Sequence, residues 1–165
     1  MQYKESIELT SQQGRPTFHN VTRQVQEICR RSGIREGICI AATAHTTCSV
    51  ILEEYSHDFE EDGLEFLQRD LCDMMETIAP ACSGSGSYHH PGPKHVAFGL
   101  ADVQPGAWSM MNTEAHLRSL LLGRSVILDL CGGRPDLGDF ASVYFVDWDR
   151  LRGRTRRLTV RLVGE

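Results

Sequence analysis

A chain of 165 residues, 41% of them hydrophobic, suits one domain that can bury a core without help from disulfides. Its 22 acidic against 17 basic residues leave a net charge of −5, which argues against a general affinity for nucleic acid or for an anionic membrane, since both reward basic surfaces. No apolar run reaches ~18 residues and the first residues do not resemble a signal peptide, so a cytoplasmic protein with reduced thiols is expected.

Residues 2–10 alternate as a strand does, with Tyr3, Glu5, Ile7 and Leu9 opposite Lys4, Ser6 and Glu8, before a break at 11–16. Asn20 can cap a helix whose Val21, Val25, Ile28 and Cys29 share one face and which Gly33 ends. From Gly37 to Leu52 the residues are small or β-branched, predicting either one long strand or two that meet near His45. Residues 58–78 place Leu64, Leu67, Leu71, Met74, Met75 and Ile78 at helical intervals, predicting a helix with its acids near the positive dipole end.

The glycine, serine and proline of residues 82–111 predict a long, partly mobile loop, with Ser83 to Ser87 its most flexible part, and no second domain. Asn112 or Thr113 can cap a short helix closed by Gly123. Strands follow at 125–130, 140–148 and 156–163. Strands outnumber helices without alternating regularly with them. The expected fold is therefore a single α+β, β-rich domain over 1–165, of mostly antiparallel strands with two or three helices.

The six cysteines are widely spread and form no CxxC pair, a pattern that points neither to zinc nor to a disulfide framework. Of the seven histidines, His45 lies in the strand-like run, His116 in the first turn of a helix, and His89-His90 at the edge of the expected loop. A helix N-terminus disfavours protonation of a nearby imidazole, so His116 is expected to be neutral, the form that binds a metal or polarises an oxygen. Three histidines from three segments can form an open metal site, although none shows a local ligand spacing. Strand parity puts Glu53 rather than Glu54 on the face of His45 and puts Cys48 on the other face, against a Cys-His pair. Thr46 and Thr47 can offer hydroxyls to an anion. Gly132-Gly133-Arg134, with Arg118 and Arg124 nearby in sequence, can close on phosphate or form a plain turn. The arginines at 150–157 are expected on a solvated turn and an exposed strand face.

Four pieces of the sequence resemble, in order, the YjbQ family, also described as secondary thiamine-phosphate synthases. They are His45-Thr46-Thr47-Cys48-Ser49 with Glu54; Tyr88-His89-His90; Ala115-His116-Leu117 with Leu122-Gly123-Arg124-Ser125-Val126; and Gly133-Arg134…Leu137-Gly138 with Phe145-Val146-Asp147-Trp148-Asp149. The resemblance implies a sandwich-like subunit assembling as a homotrimer. It also implies a weak activity that joins a hydroxymethylpyrimidine diphosphate to a thiazole phosphate with loss of pyrophosphate. Carried over by residue, it implies a divalent ion, zinc or magnesium, on His45, His90 and His116. Glu54, His45 and Thr47 take catalytic roles, and Thr46 and Tyr88 line a small-molecule site; Arg118 is expected to join them as a cation for phosphate, on the reading of the residues alone. The resemblance prefers Glu54 where parity prefers Glu53. Two departures bear on the substrate: Gly138-Asp139-Phe140-Ala141 stands where the family has Gly-Thr-Trp-Gln, and residues 91–111 lengthen the interval between His90 and His116. The alternative reading is a non-catalytic trimer that binds a metabolite or a metal.

Overall fold

The alternation of the first residues becomes β1, Gln2–Thr10, whose Tyr3, Ile7 and Leu9 turn inward while their neighbours face water. In the computed structural model, which describes residues 1–84, 86–102 and 104–165, the other strands are β2 (Thr17–Asn20), β3 (Gly37–Ala42), β4 (Cys48–Glu54), β5 (Ser125–Cys131), β6 (Arg134–Pro135), β7 (Ala141–Asp147) and β8 (Thr155–Gly164). The helices are α1 (Thr22–Ser32), α2 (Phe66–Ile78), α3 (Pro93–Asp102) and α4 (Thr113–Leu122). Among the described residues every strand pairing is antiparallel, giving a larger sheet in the order β1-β8-β3-β5-β6 and a smaller one in the order β2-β7-β4. The fold is α+β and β-rich, as expected, with four α-helices among the described residues where two or three were predicted.

The inner faces of the two sheets and α1 share one core. Val25, Ile28 and Cys29 from α1 meet Cys39 and Ala41, Cys48 and Val50, Val143 and Phe145, and Leu158, Val160 and Leu162. The other face of the small sheet carries Tyr144, Val146 and Trp148 against Met75 of α2 and Ala115 of α4. β7 is therefore buried on both faces, which is why 143–146 reads as an unbroken apolar run rather than an alternation. Gly37 and Gly164 let β3 and β8 approach where a Cβ at either would strike the partner's backbone.

The 37–52 segment resolves into two strands belonging to different sheets, with residues 43–47 crossing between them. The helix predicted over 58–78 begins only at Phe66. Glu65 caps it reciprocally with Gln68, and the acidic stretch before it is closed by a Phe59–Glu65 bridge instead of joining the helix. The loop expected over 82–111 contains α3 and a 3₁₀ turn at Ala107–Met110; Pro93 sits at the first helical position, where its missing N–H costs nothing. Ser85, within the run expected to be flexible, and Val103 lie outside the described residues. Among the described residues no helix is long and apolar enough to cross a membrane.

Ile28, 1% exposed at the centre of the shared core, is the packing test. Ile28→Ala should lower the unfolding free energy by about 2–5 kcal/mol in urea denaturation, with the slope unchanged.

Candidate functional site

Where β3 ends, Thr43 turns the chain. Its hydroxyl donates to the Arg157 carbonyl (2.9 Å) and accepts the His45 backbone N–H (3.3 Å). His45 then crosses above β8, and its Nε2 accepts the backbone N–H of Arg157 at 3.0 Å, which leaves the ring proton on Nδ1. A cavity of about 290 Å³ opens beside it, bordered by Ala44, Thr155, Arg156 and Arg157. Burial holds the His45 imidazole below its ordinary value, helped by the charge of Arg156.

Beneath the loop lies a buried ionic network. Arg156 grips Asp147 through Nε–Oδ2 (2.6 Å) and Nη2–Oδ1 (3.1 Å), and the same Nη2 donates to the Thr47 hydroxyl at 3.0 Å. Asp147 is wholly buried and Arg156 only 5% exposed. Asp149 is held by Arg154, by the Asn112 amide (3.0 Å) and by the backbone N–H of Leu151 (3.0 Å). This corrects the expectation that residues 150–157 form a solvated charge run. Arg154 and Arg156 point inward because the two aspartates ending the most buried strand need cations, and neither charge survives burial alone. The network is the signal that residue-by-residue reading missed: two acids closing an apolar run, followed by arginines at alternate positions.

His116, on α4, meets the same loop, with the Thr46 carbonyl against its ring. The ring of His90 lies 5.5 Å from that of His116 and 4.6 Å from that of His95, between centroids. Thr113 donates to the His90 carbonyl at 2.6 Å, so its oxygen accepts from His90 Nδ1 at 3.0 Å and leaves the Nε2 lone pair free. Burial lowers the pKa of His90 and of His116, and in each case a neighbouring imidazole adds to the shift. The direction expected for His116 holds, with burial as its main cause. His95, from α3, is the histidine that spacing gave no reason to choose.

The remaining predicted residues take other places. Thr46 is exposed, whereas Thr47 is buried against Arg156. Tyr88 donates its hydroxyl to the Pro80 carbonyl. Arg118, 3% exposed, donates to the Ala79 carbonyl and to Glu76 and lies over the Trp148 ring, so it fastens α2 to α4. Glu54 is exposed at the far end of β4, six residues from Cys48, a separation of roughly 20 Å along an extended strand that keeps it from acting with the His45 loop of its own chain. Glu53 is the buried member of the pair. Burial, with the neighbouring Glu65, pushes its carboxyl up to about 7. Cys48 is wholly buried and its thiol is pushed up by that burial, which removes it as a nucleophile. Gly132-Gly133 is a plain turn between β5 and β6, its N–H groups given to Glu36 and to the Arg35 carbonyl.

Among the described residues of one chain, no three His, Cys, Asp or Glu side chains converge to hold a metal ion. His90 has a free lone pair, but His45 spends its own on Arg157. The set His45, His90 and His116 therefore does not fit a metal in this arrangement of one chain.

A family model described as UPF0047 protein YjbQ-like matches residues 5–165. A UPF0047 protein of Archaeoglobus fulgidus is 30% identical over 142 residues, covering 86% of this chain and 87% of the relative. The UPF0047 protein YugU of Bacillus subtilis is 24% identical over 136 residues, covering 82% and 83% respectively. Among solved structures, a YbjQ-like protein of unknown function from Sulfolobus solfataricus superposes with a TM-score of 0.72 at 23% identity over the full length of both chains. A YjbQ/UPF0047 protein of Clostridium acetobutylicum does so with a TM-score of 0.68 at 22% identity, over 95% of this chain and 99% of that one.

Asp147→Asn should cost about 3–5 kcal/mol in urea denaturation, because it leaves Arg156 buried without its counter-charge, whereas the exposed Glu54→Gln should stay within about 0.5 kcal/mol. Glu53 titrates from an ordinary 4.5 up to about 7 in the fold, so the folded state binds the extra proton. The contribution of Glu53 to stability should be complete below pH 4.5 and be lost as the pH rises towards 7, so that the difference between the wild type and Glu53→Gln in parallel denaturations should change over that interval.

Proposed function

We propose, from the premise that the chain belongs to the YjbQ-like UPF0047 family, that it is an enzyme acting on phosphorylated small molecules at the His45–His90–His116 region. The reaction class is the one the resemblance implies: a bond forms between a thiazole phosphate and the methylene carbon of a hydroxymethylpyrimidine diphosphate, and the bond from that carbon to pyrophosphate breaks. The observation that carries the reading is the pair of imidazoles His90 and His116, both biased towards the neutral form. They adjoin a loop whose base is fixed by the Arg156–Asp147 pair.

The chemistry asked of the protein is mainly electrostatic, because charge gathers on the departing pyrophosphate. Arg157, which pairs with Glu8 at 3.6 Å on the same rim and would exchange that exposed partner for phosphate, and the Nδ1–H of His45 border the cavity and supply a cation and a donor. The exposed Thr46 hydroxyl is a further contact for a phosphate oxygen. His116 or His90 gives or takes a proton at its free nitrogen, a task suited to an imidazole that is neutral at working pH. Thr47 and Asp147 position the loop without touching substrate. The proposal extends to a homotrimer, for which exposed Leu120, Leu121 and Ile127 offer apolar surface, and to a cytoplasmic setting, in keeping with six free thiols.

Pyrophosphate release from the two precursors is the direct test. His116→Ala should lower kcat/KM by about 100-fold or more while circular dichroism stays that of the wild type. The acid limb of the wild-type profile should lie below pH 6.5, because burial favours the neutral ring, and should be lost in the variant. Thermal stabilisation by the precursors without any pyrophosphate release would replace the enzyme by a binding protein.

A further inference from the structure

Between α1 and the turn that joins β5 to β6 lies a cleft of about 950 Å³, whose lining shares no residue with the cavity beside His45. Arg35 leads into β3 and the crossing loop leaves it, so the six residues of that strand, roughly 20 Å when extended, hold the two places apart. Arg23, Glu27 and Arg30 follow one another at helical intervals on α1 and form one wall. Arg35, Arg134 and the Gly132-Gly133 turn form the other, and the buried Ile34 and Pro135 complete the lining.

The turn is rigidly held. Gly132 and Gly133 have left-handed backbone, at φ 59° and 80°, and donate their N–H groups to the Glu36 carboxylate (2.9 Å) and the Arg35 carbonyl (2.9 Å). Arg35 is fixed in its turn, its own N–H donating to the Glu165 carbonyl at 2.8 Å. A Cβ placed on Gly132 would lie 3.9 Å from Arg35 Nη2, so that guanidinium stands beside the turn. The glycine N–H groups are already spent, and an anion here must be held by side chains.

Four arginines and one glutamate line this cleft, on a chain whose net charge is −5. Arg30 is accounted for: it pairs with Glu27 at 2.6 Å near the carbonyl end of α1, and Arg31 approaches the same carboxylate at 3.3 Å. Arg23, Arg35 and Arg134 are not. All three are exposed, and none of their guanidinium groups has an ion-pair or hydrogen-bond partner among the described residues. Elsewhere arginines find acids: Arg15 and Arg69 share Asp62, and Arg31 reaches Glu5. Like charges gathered on one cleft without a counter-charge repel one another, and a bound anion relieves that repulsion.

We infer that this cleft is a second ligand site, for a small molecule carrying two or more linked phosphates. The guanidinium fork matches phosphate oxygens, and with arginines on both walls a linked pair of phosphates reaches donors that a single one does not. The Gln24 and Gln26 amides, also on the lining, can bond to whatever the phosphates are attached to. A nucleic-acid strand is the poorer match, because the acidic remainder of the chain repels phosphates that extend beyond the cleft.

Inorganic tripolyphosphate is the probe, with the full chain at about pH 7.5 and low salt. Calorimetric titration should show saturable binding that weakens as salt is added, and amide resonances of Arg35 and of residues 132–134 should shift in step. Arg35→Ala and Arg134→Ala, which break no hydrogen bond and should melt as the wild type does, should each weaken binding about tenfold. Arg161→Ala, which removes the same charge from the exposed face of β8, should weaken it less than about twofold. His116→Ala should bind as the wild type does. ATP binding at least as tightly as tripolyphosphate would place the ligand among nucleotides, and weaker binding would place it among free oligophosphates; the inference stands with either. No saturable binding, equal losses from Arg35→Ala and Arg161→Ala, resonance shifts confined to the His45 loop, or tighter binding of a single-stranded RNA would overturn it. Pyrophosphate release at the histidines is read separately, and its success or failure leaves this result unchanged.

Discussion

One buried ion pair sets the position of everything at the histidine end of the molecule. Asp147 closes β7 inside the protein, and Arg156, arriving from β8 in the other sheet, meets it with two hydrogen bonds and spends a third on Thr47. A hydrophobic pair of the same size could fill that space at no loss of stability, by general experience of such sites. What it could not do is fix direction. The guanidinium is planar, its donors are fixed in angle, and through them the strand of one sheet, the strand of the other and the loop between them are brought to one arrangement.

The layering explains why such a pair is tolerated. β7 has hydrophobic neighbours on both sides, the shared sheet core on one and α2 with α4 on the other, so its end is dry and its charges cannot be solvated by water. In that medium an uncompensated carboxylate is expensive, and each one has a recorded answer: Arg156 for Asp147, Arg154 and Asn112 for Asp149. Glu53, at the other end of the same sheet, meets the penalty differently, by holding its proton up to about 7.

Much of the fold was legible because its signals are local. The alternation in β1, the Val21-Val25-Ile28-Cys29 stripe and Gly33 at the end of α1 each follow from a period or a single residue's conformational preference. The start of α2 was misplaced because acids before an amphipathic run read equally well as a first turn or as a preceding loop, and only the Glu65–Gln68 capping box decides between them. α3 was hidden by the glycines and prolines around it. At the site, the approach of His90 to His116 depended on tertiary structure and came from resemblance rather than from spacing. His95 and the Arg154–Arg156 partners of the aspartates arise from pairings between strands and helices far apart in the chain, for which no window of sequence carries a mark.

The crossing loop belongs to both sheets at once, tied to β8 through His45 and Thr43 and to β7 through Thr47. Its base is therefore a foundation stone, and alterations there are judged by folding before they can be judged by chemistry. A lineage that needs a new substrate has freedom only at the periphery: the exposed Thr46, and the α3 segment that carries His95. Diversification of this architecture should accordingly proceed by changing what leans over the histidines while leaving what lies beneath them alone.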